Sequence, residues 1–216
     1  MSEHLKKNKK RPPYRIETER TVIRCLDPND ASLMLSAISE NLDHLGPWME
    51  WVAHEPESLE AKTNRLQKSR DDFNSDIDYM YGIFNTVETE LIGGTGLHPR
   101  IGPNAFEIGY WISHTRINQG LATEVASALT RVAFEICGVA RIEIRCDPAN
   151  VRSGRVPEKL GFVHSTTLLN NATTVDGKPR NTMVWLMAGE GYPKSHSRDA
   201  QIKAFDDSDD SIALWS

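Results

Sequence analysis

An α/β domain built on a mixed sheet is the fold class this sequence predicts, and three patterns predict it. Short runs rich in β-branched and aromatic residues recur, as in Arg20–Leu26, Tyr79–Phe84 and Arg141–Cys146, the composition of strands. Between some of them lie longer stretches with apolar residues three and four apart, as expected of helices packed by one face. The order of alternation is β α α β β β α β α β β, in which helical crossovers mix with hairpins.

Taken in order, residues 1–16 are polar, carry Pro12 and Pro13, and are expected to form a flexible basic arm. Arg20–Leu26 reads as the first strand. Asp27, Pro28, Asn29 and Asp30 supply turn and cap residues, after which Ala31, Leu33, Met34, Leu35 and Ile38 form a helical stripe. From Leu42 to His54 a glycine–proline loop is expected, with Trp48 and Trp51 either pinning it to the core or walling an acceptor pocket. Ser58 opens a second helix, through Leu66 to about Phe73. Tyr79–Phe84 and Leu91–Leu97 are strands joined through Thr86–Glu90. Gly93, Gly94 and Gly96 point to a bulge or a close backbone approach rather than a flat central strand.

Phe106–Ile112 is the next strand, with Ile108, Tyr110 and Ile112 on one face and Glu107, Gly109 and Trp111 on the other. The helix expected from Gln119 carries Val125, Leu129, Val132, Ala133 and Ile136 on one stripe and ends at Gly138. Arg141–Cys146 is a strand, followed by Asp147–Asn150 and a short helix that reaches Leu160 and stops at Gly161. A strand starts at Phe162, Asp176 and Gly177 make a turn, and Thr182–Met187 is the last strand. From Glu190 the pattern fades. A single domain over 17–190 is therefore expected, with 191–216 as an acidic flexible tail.

A chain of 216 residues, 39% hydrophobic and 25% charged, has the apolar content for one globular core. A net charge of −5 argues against a general nucleic-acid binder. The charge is uneven, with Lys6, Lys7, Lys9, Lys10, Arg11 and Arg15 at one end and Asp206, Asp207, Asp209 and Asp210 at the other. Both runs read as solvated; the basic one leaves ribosome association open. Cys25, Cys137 and Cys146 lie in apolar segments without CxxC spacing, as buried free thiols do. The histidines show no metal-ligand spacing. With no apolar signal core and no run near ~18 apolar residues, the expected location is the cytoplasm, away from membranes.

The stretch that carries chemistry is Asn118–Glu124. Gly120 lets the backbone approach a ligand or take a strained turn, and Ala122 keeps the surface open. A helix that starts there has several unpaired N–H groups at its positive end, which suits a phosphate. No Rossmann or P-loop spacing competes for the role.

Four pieces together resemble the Gcn5-related N-acetyltransferases (GNAT superfamily), in the RimJ/RimL-like branch that acetylates N-terminal amines of ribosomal proteins. They are Glu17-Thr18-Glu19-Arg20, the FEIGYWI run at 106–112, the QGLATE run at 119–124, and Asn150–Phe162. The pieces span 17–188. Ile117 departs from the family pattern, which often has Gln or Arg three residues before the first glycine. The resemblance implies a GNAT fold: a mostly antiparallel sheet of about seven strands splayed into a V, with about four helices. It also implies acetyl-CoA as co-substrate, lying between the 106–112 and 141–146 strands.

On this resemblance the amides of Gln119, Gly120, Leu121, Ala122 and Thr123 hold the pyrophosphate, and the backbones of Trp111 and Ile112 pair with the pantetheine arm. Asn150 bonds the cofactor arm, or caps a helix, or both. Ser153 is the donor of a proton to the departing thiolate. Lys159 or Arg155 meets the 3′-phosphate. Pro157, lacking an N–H, frees the carbonyl of residue 153. Glu107 is the candidate general base and a substrate contact, and Trp48, Trp51 and Glu50 are expected around a cationic amine. The expected acceptor is a protein or peptide N-terminal amine attacked directly in a ternary complex. A small amine acceptor or a non-catalytic acyl-CoA-binding module stays open, as does monomer against homodimer.

Overall fold

The computed structural model describes residues 11–174 and 177–214. Among these, nine strands form one sheet in the order β7-β8-β6-β5-β4-β3-β2-β1-β9, two more than the sequence suggested. The strands are β1 (Arg15–Glu17), β2 (Val22–Cys25), β3 (Tyr79–Phe84), β4 (Leu91–His98), β5 (Ala105–Ile112), β6 (Arg141–Cys146), β7 (Val163–Thr173), β8 (Pro179–Ala188) and β9 (Lys203–Phe205). The α-helices are α1 (Ala31–Ser39), α2 (Leu42–Leu45), α3 (Leu59–Asn74), α4 (Leu121–Glu135) and α5 (Val151–Leu160).

Every neighbouring pair is antiparallel except β5–β6. That pair runs parallel from Ala105↔Arg141 to Ile108↔Ile144 and no further. Gly109–Ile112 keep β4 on one side, with Gly93 opposite Ile112, but among the described residues have no strand on the other. The sheet therefore opens at the C-terminal ends of β5 and β6.

Two layers cover the sheet. The stripe expected on α4 is buried, with Val125, Leu129, Val132 and Ala133 all at 0% exposure, and it packs with Ile108, Ile112, Ile142 and Ile144. On the other face Leu26, Met34, Ile38, Leu66 and Phe84 form a second cluster that Trp111 borders. The strand alternation read from FEIGYWI thus separates two cores.

Several expectations changed in three dimensions. The Leu42–His54 segment is not an open loop: it holds α2 and a 3-10 turn at Glu50–His54, with Leu45 and Val52 buried. The glycines of β4 lie mid-sheet in a buried strand, where the close-approach reading applies. A Cβ at Gly93 would stand 2.3 Å from the Trp111 carbonyl oxygen, and one at Gly94 would stand 2.5 Å from Trp111 Nε1. These glycines make room for Trp111. The three cysteines are buried thiols, none of them in a disulfide among the described residues.

Residues outside the expected 17–190 domain also pack onto it. β1 begins at Arg15, and Tyr14 N donates to the Phe205 carbonyl at 2.9 Å. β9 pairs with β1, Ala204 is buried, and Tyr192 Oη donates to Glu135 Oε1 at 2.5 Å. Lys6, Lys7, Lys9, Lys10 and Asp176 lie outside the described residues. Among the described residues no helix is long and apolar enough to cross a membrane.

Candidate active site

Where β5 and β6 part, a cleft of about 590 Å³ runs between α4, α5 and the α2 segment. Pockets of ~300–1,000 Å³ are typical of small-molecule sites. One end is formed by Asn118 and Gly120–Thr123, the floor by Tyr110, Trp111 and Ile112, one wall by Asn150–Ser153, and the far end by His44, Trp48 and Met49.

The α4 end is built for an anion. Gly120, its N-cap, is left-handed at φ +81° and no side chain caps the helix. The first intrahelical bond is Glu124 N to the Gly120 carbonyl at 3.0 Å, so the preceding amides face outward. Asn118 is also left-handed, at φ +61°. The loop is held from outside by the Glu17–Arg20 motif. Arg20 Nη1 donates to the Gln119 carbonyl at 2.8 Å, Arg20 Nε to Glu124 Oε2 at 2.6 Å, and Thr18 Oγ1 to Glu124 Oε1 at 2.6 Å. Gln119 therefore positions the loop's edge, while Gly120, Leu121, Ala122 and Thr123 line the cleft.

Asn150 caps α5, its Oδ1 accepting from Ser153 N at 3.1 Å, which leaves its amide nitrogen able to donate. Ser153 lies three residues on and meets Tyr110. Tyr110 Oη donates to the Ser153 carbonyl at 3.1 Å and lies 3.2 Å from Ser153 Oγ. That carbonyl is the one Pro157 leaves without an intrahelical donor, and the phenol supplies the missing partner. Burial pushes the Tyr110 phenol up, against the hydrogen bond to Ser153, so it stays a donor at neutral pH.

Arg152, Arg155 and Lys159 recur three and four apart along α5 and all line the cleft; none is in an ion pair among the described residues. Arg116, also lining it, is paired with Glu90 at 2.5 Å. Cations thus flank the outward-facing amides of α4, an arrangement suited to a polyphosphate. The sequence reading named Lys159 and Arg155 but missed Arg152. Their helical spacing was the available signal.

Glu107 does not reach this cleft. It is 6% exposed and clamped by Arg100, whose Nη2 donates to Oε1 at 2.5 Å and Nε to Oε2 at 3.1 Å. Arg145 Nε approaches it at 3.6 Å. Both of its carboxylate oxygens are thus engaged by guanidiniums, on the side away from the cleft lining. Trp51 is likewise absent from the lining; it packs behind Trp111, with ring centroids 6.4 Å apart. Glu50 points elsewhere too, accepting from Thr173 N at 3.0 Å. Trp48 remains, joined by two residues the sequence reading missed, Met49 and His44. Burial is the main influence on His44 and lowers its pKa.

An open V between two parallel strands, entered from a left-handed glycine at a helix N-terminus, agrees with one family. Its profile, described as "Acetyltransferase (GNAT) domain", matches residues 20–163. The chain belongs to the GNAT acetyltransferases. As a GNAT protein it is an N-acetyltransferase by class. It is 29% identical over 158 residues to "Probable N-acetyltransferase YjcK" of Bacillus subtilis, a match covering 72% of this chain and 86% of that one. It is 28% identical over 157 residues to the ribosomal protein uS5-alanine N-acetyltransferase of Escherichia coli, covering 70% and 79%. Among solved structures, Mycobacterium smegmatis RimJ in complex with CoA-disulfide superposes with a TM-score of 0.74 at 21% identity, covering 87% of this chain and 94% of that one. RimL, a ribosomal L7/L12 α-N-protein acetyltransferase in complex with coenzyme A, gives 0.72 at 19%, covering 79% and 95%. These two likenesses establish the GNAT fold.

Proposed function

We propose that this GNAT protein moves the acetyl group of acetyl-CoA to the α-amine of a protein or peptide N-terminus, by direct attack in a ternary complex. The observation that carries the reading is the cleft itself. It joins an anion-binding end at Gly120–Thr123 to an aromatic end at Trp48 through the unpaired edge of β5. The pyrophosphate of acetyl-CoA sits on the α4 amides, with Arg152, Arg155 and Lys159 taking its remaining phosphate charge. The pantetheine arm adds to the free edge at Trp111 and Ile112 as an extra strand would, and Asn150 donates to it. An amide of that edge polarises the thioester carbonyl. Ser153, hydrogen-bonded to Tyr110, protonates the departing thiolate.

Direct attack is supported by the lining, which holds no cysteine among the described residues. The peptide acceptor is supported by the named activity of the uS5-alanine relative and by an acceptor end lined by neutral aromatic and thioether side chains. The test is thiol release from acetyl-CoA against peptides, polyamines and aminoglycosides. Turnover of peptides with small N-terminal residues is the expected result. Turnover of small amines alone overturns the acceptor, and failure to bind acetyl-CoA by calorimetry overturns the reaction. Asn150→Ala is expected to weaken acetyl-CoA binding. Ser153→Ala is expected to lower kcat by about tenfold, less than the ~10²–10⁴-fold typical of acid catalysis because a thiolate already leaves well.

A further inference from the structure

An amine attacks a thioester only in its neutral form, so an acceptor arriving as an ammonium must give up a proton in the cleft. Glu107 is outside it, and no aspartate or glutamate lines it among the described residues. The lining side chains that titrate are His44, Tyr110, Arg116, Arg152, Arg155 and Lys159. The last four are cations with no lone pair to offer. Tyr110 is held neutral by burial and donates its proton to Ser153. The imidazole of His44 remains.

We propose that His44 is the proton acceptor for the attacking amine, directly or through one water. The proposal rests on the acetyl-transfer reading above. His44 sits on α2, half-buried, facing the same cleft as the free edge of β5. The groups that face it from the packed elements are the Ile112 backbone, His114 from the turn after β5, and Arg152 from α5. Burial lowers its affinity for a proton most, His114 and Arg152 act in the same direction, and the Ile112 backbone opposes them. The ring is therefore neutral at physiological pH, the state a base needs. His114 is engaged elsewhere, its Nδ1 lying 3.0 Å from Asn41 Oδ1.

The step balances as follows. The ammonium gives one proton to His44, and the amine lone pair forms the C–N bond to the acetyl carbon. The C–S bond breaks with its pair on sulfur. The second amine proton ends on that sulfur by way of the Ser153 hydroxyl, giving free CoA, and His44 returns its proton to water.

Two measurements on the full chain test this. His44→Gln, which keeps a polar side chain but no titrating ring, is expected to hold acetyl-CoA affinity within about twofold while kcat at pH 7 falls about 10²-fold. On the acid side the parent kcat/KM falls through two ionisations, that of His44 and that of the acceptor α-amine near pH ~8; the variant keeps only the second. A variant that retains kcat within twofold and both ionisations overturns the proposal. The second measurement is an NMR titration of the CoA complex with labelled histidine, the His44 signal being the one absent from His44→Gln. A midpoint below the ordinary histidine value of about 6.5 is expected, and a ring that stays protonated throughout the pH range of activity overturns the proposal. If the parent turned over no peptide, the peptide reading would fall, and the titration would still decide His44.

Discussion

At the residue scale, Gly120 shows how one backbone angle positions a binding site. Its φ of +81° costs an L-residue about 1–2 kcal/mol. A Cβ there would meet nothing closer than Arg20 Nη2 at 3.6 Å, so space is available and strain alone decides. Gly120→Ala is expected to lower stability by about 1 kcal/mol in urea unfolding. It should weaken acetyl-CoA binding several-fold by calorimetry, because the relaxing turn re-aims the amides of Leu121–Thr123. Tyr110 is a second such residue. Its hydroxyl partners the carbonyl that Pro157 leaves free and touches Ser153, so fold and chemistry meet in one side chain.

At the element scale, α3 depends on a buried cation. Lys62 is 1% exposed; its ammonium pairs with Glu55 and lies 2.9 Å from Glu57 Oε2. Lys62→Ala would leave the Glu55 carboxylate buried without its cation, so a loss of about 3–5 kcal/mol is expected from urea midpoints. Glu57 adds a pH dependence. Arg65 first, then Lys62, hold its carboxyl down to about 2. A carboxylate depressed on folding contributes stability above its unfolded value of about 4.3, and this is lost as pH falls toward about 2. Glu57→Gln should therefore flatten the fall in urea midpoint across that window. The α2 segment is held differently, by the β7–β8 hairpin. Arg180 Nη1 donates to the Trp48 carbonyl at 3.0 Å and Thr173 N to Glu50, so the far end of the cleft is set by strands far along the chain.

At the scale of the whole molecule, the segment after Glu190 completes the fold. Tyr192 stacks on Phe134 with ring centroids 4.7 Å apart and bonds buried Glu135, Ser197 is 0% exposed, and β9 covers the edge of β1. Burying one such aromatic contributes about 1.5–3 kcal/mol. For a domain of this size each 1 kcal/mol moves Tm by about 2–4 °C. A chain ending at residue 190 is expected to melt roughly 5–10 °C lower by calorimetry. An unchanged Tm would mean that the segment contributes nothing to the folded state.

The sequence by itself determined what local periodicity and covalent chemistry determine. The alternation of Phe106–Ile112 assigned its side chains to two faces, the stripe on α4 matched its buried side, and Pro157 told of a free carbonyl at Ser153. The glycine at 120 and the motif from Asn150 to Phe162 located the helix starts that flank the cleft. Tertiary structure decided the rest, because those facts depend on which distant segments meet. Nothing local to Glu107 reveals that Arg145 stands beside it on the next strand, nor that β5 and β6 part only after Ile108. His44 carries no motif; it belongs to the cleft because α2 stands at its far end, across from β5. The acidic end looked like a solvated tail because its charges dominate its composition, while Tyr192, Ser197 and Ala204 are too sparse to show a period. Their partners lie on α4 and β1, and only the folded chain brings them together.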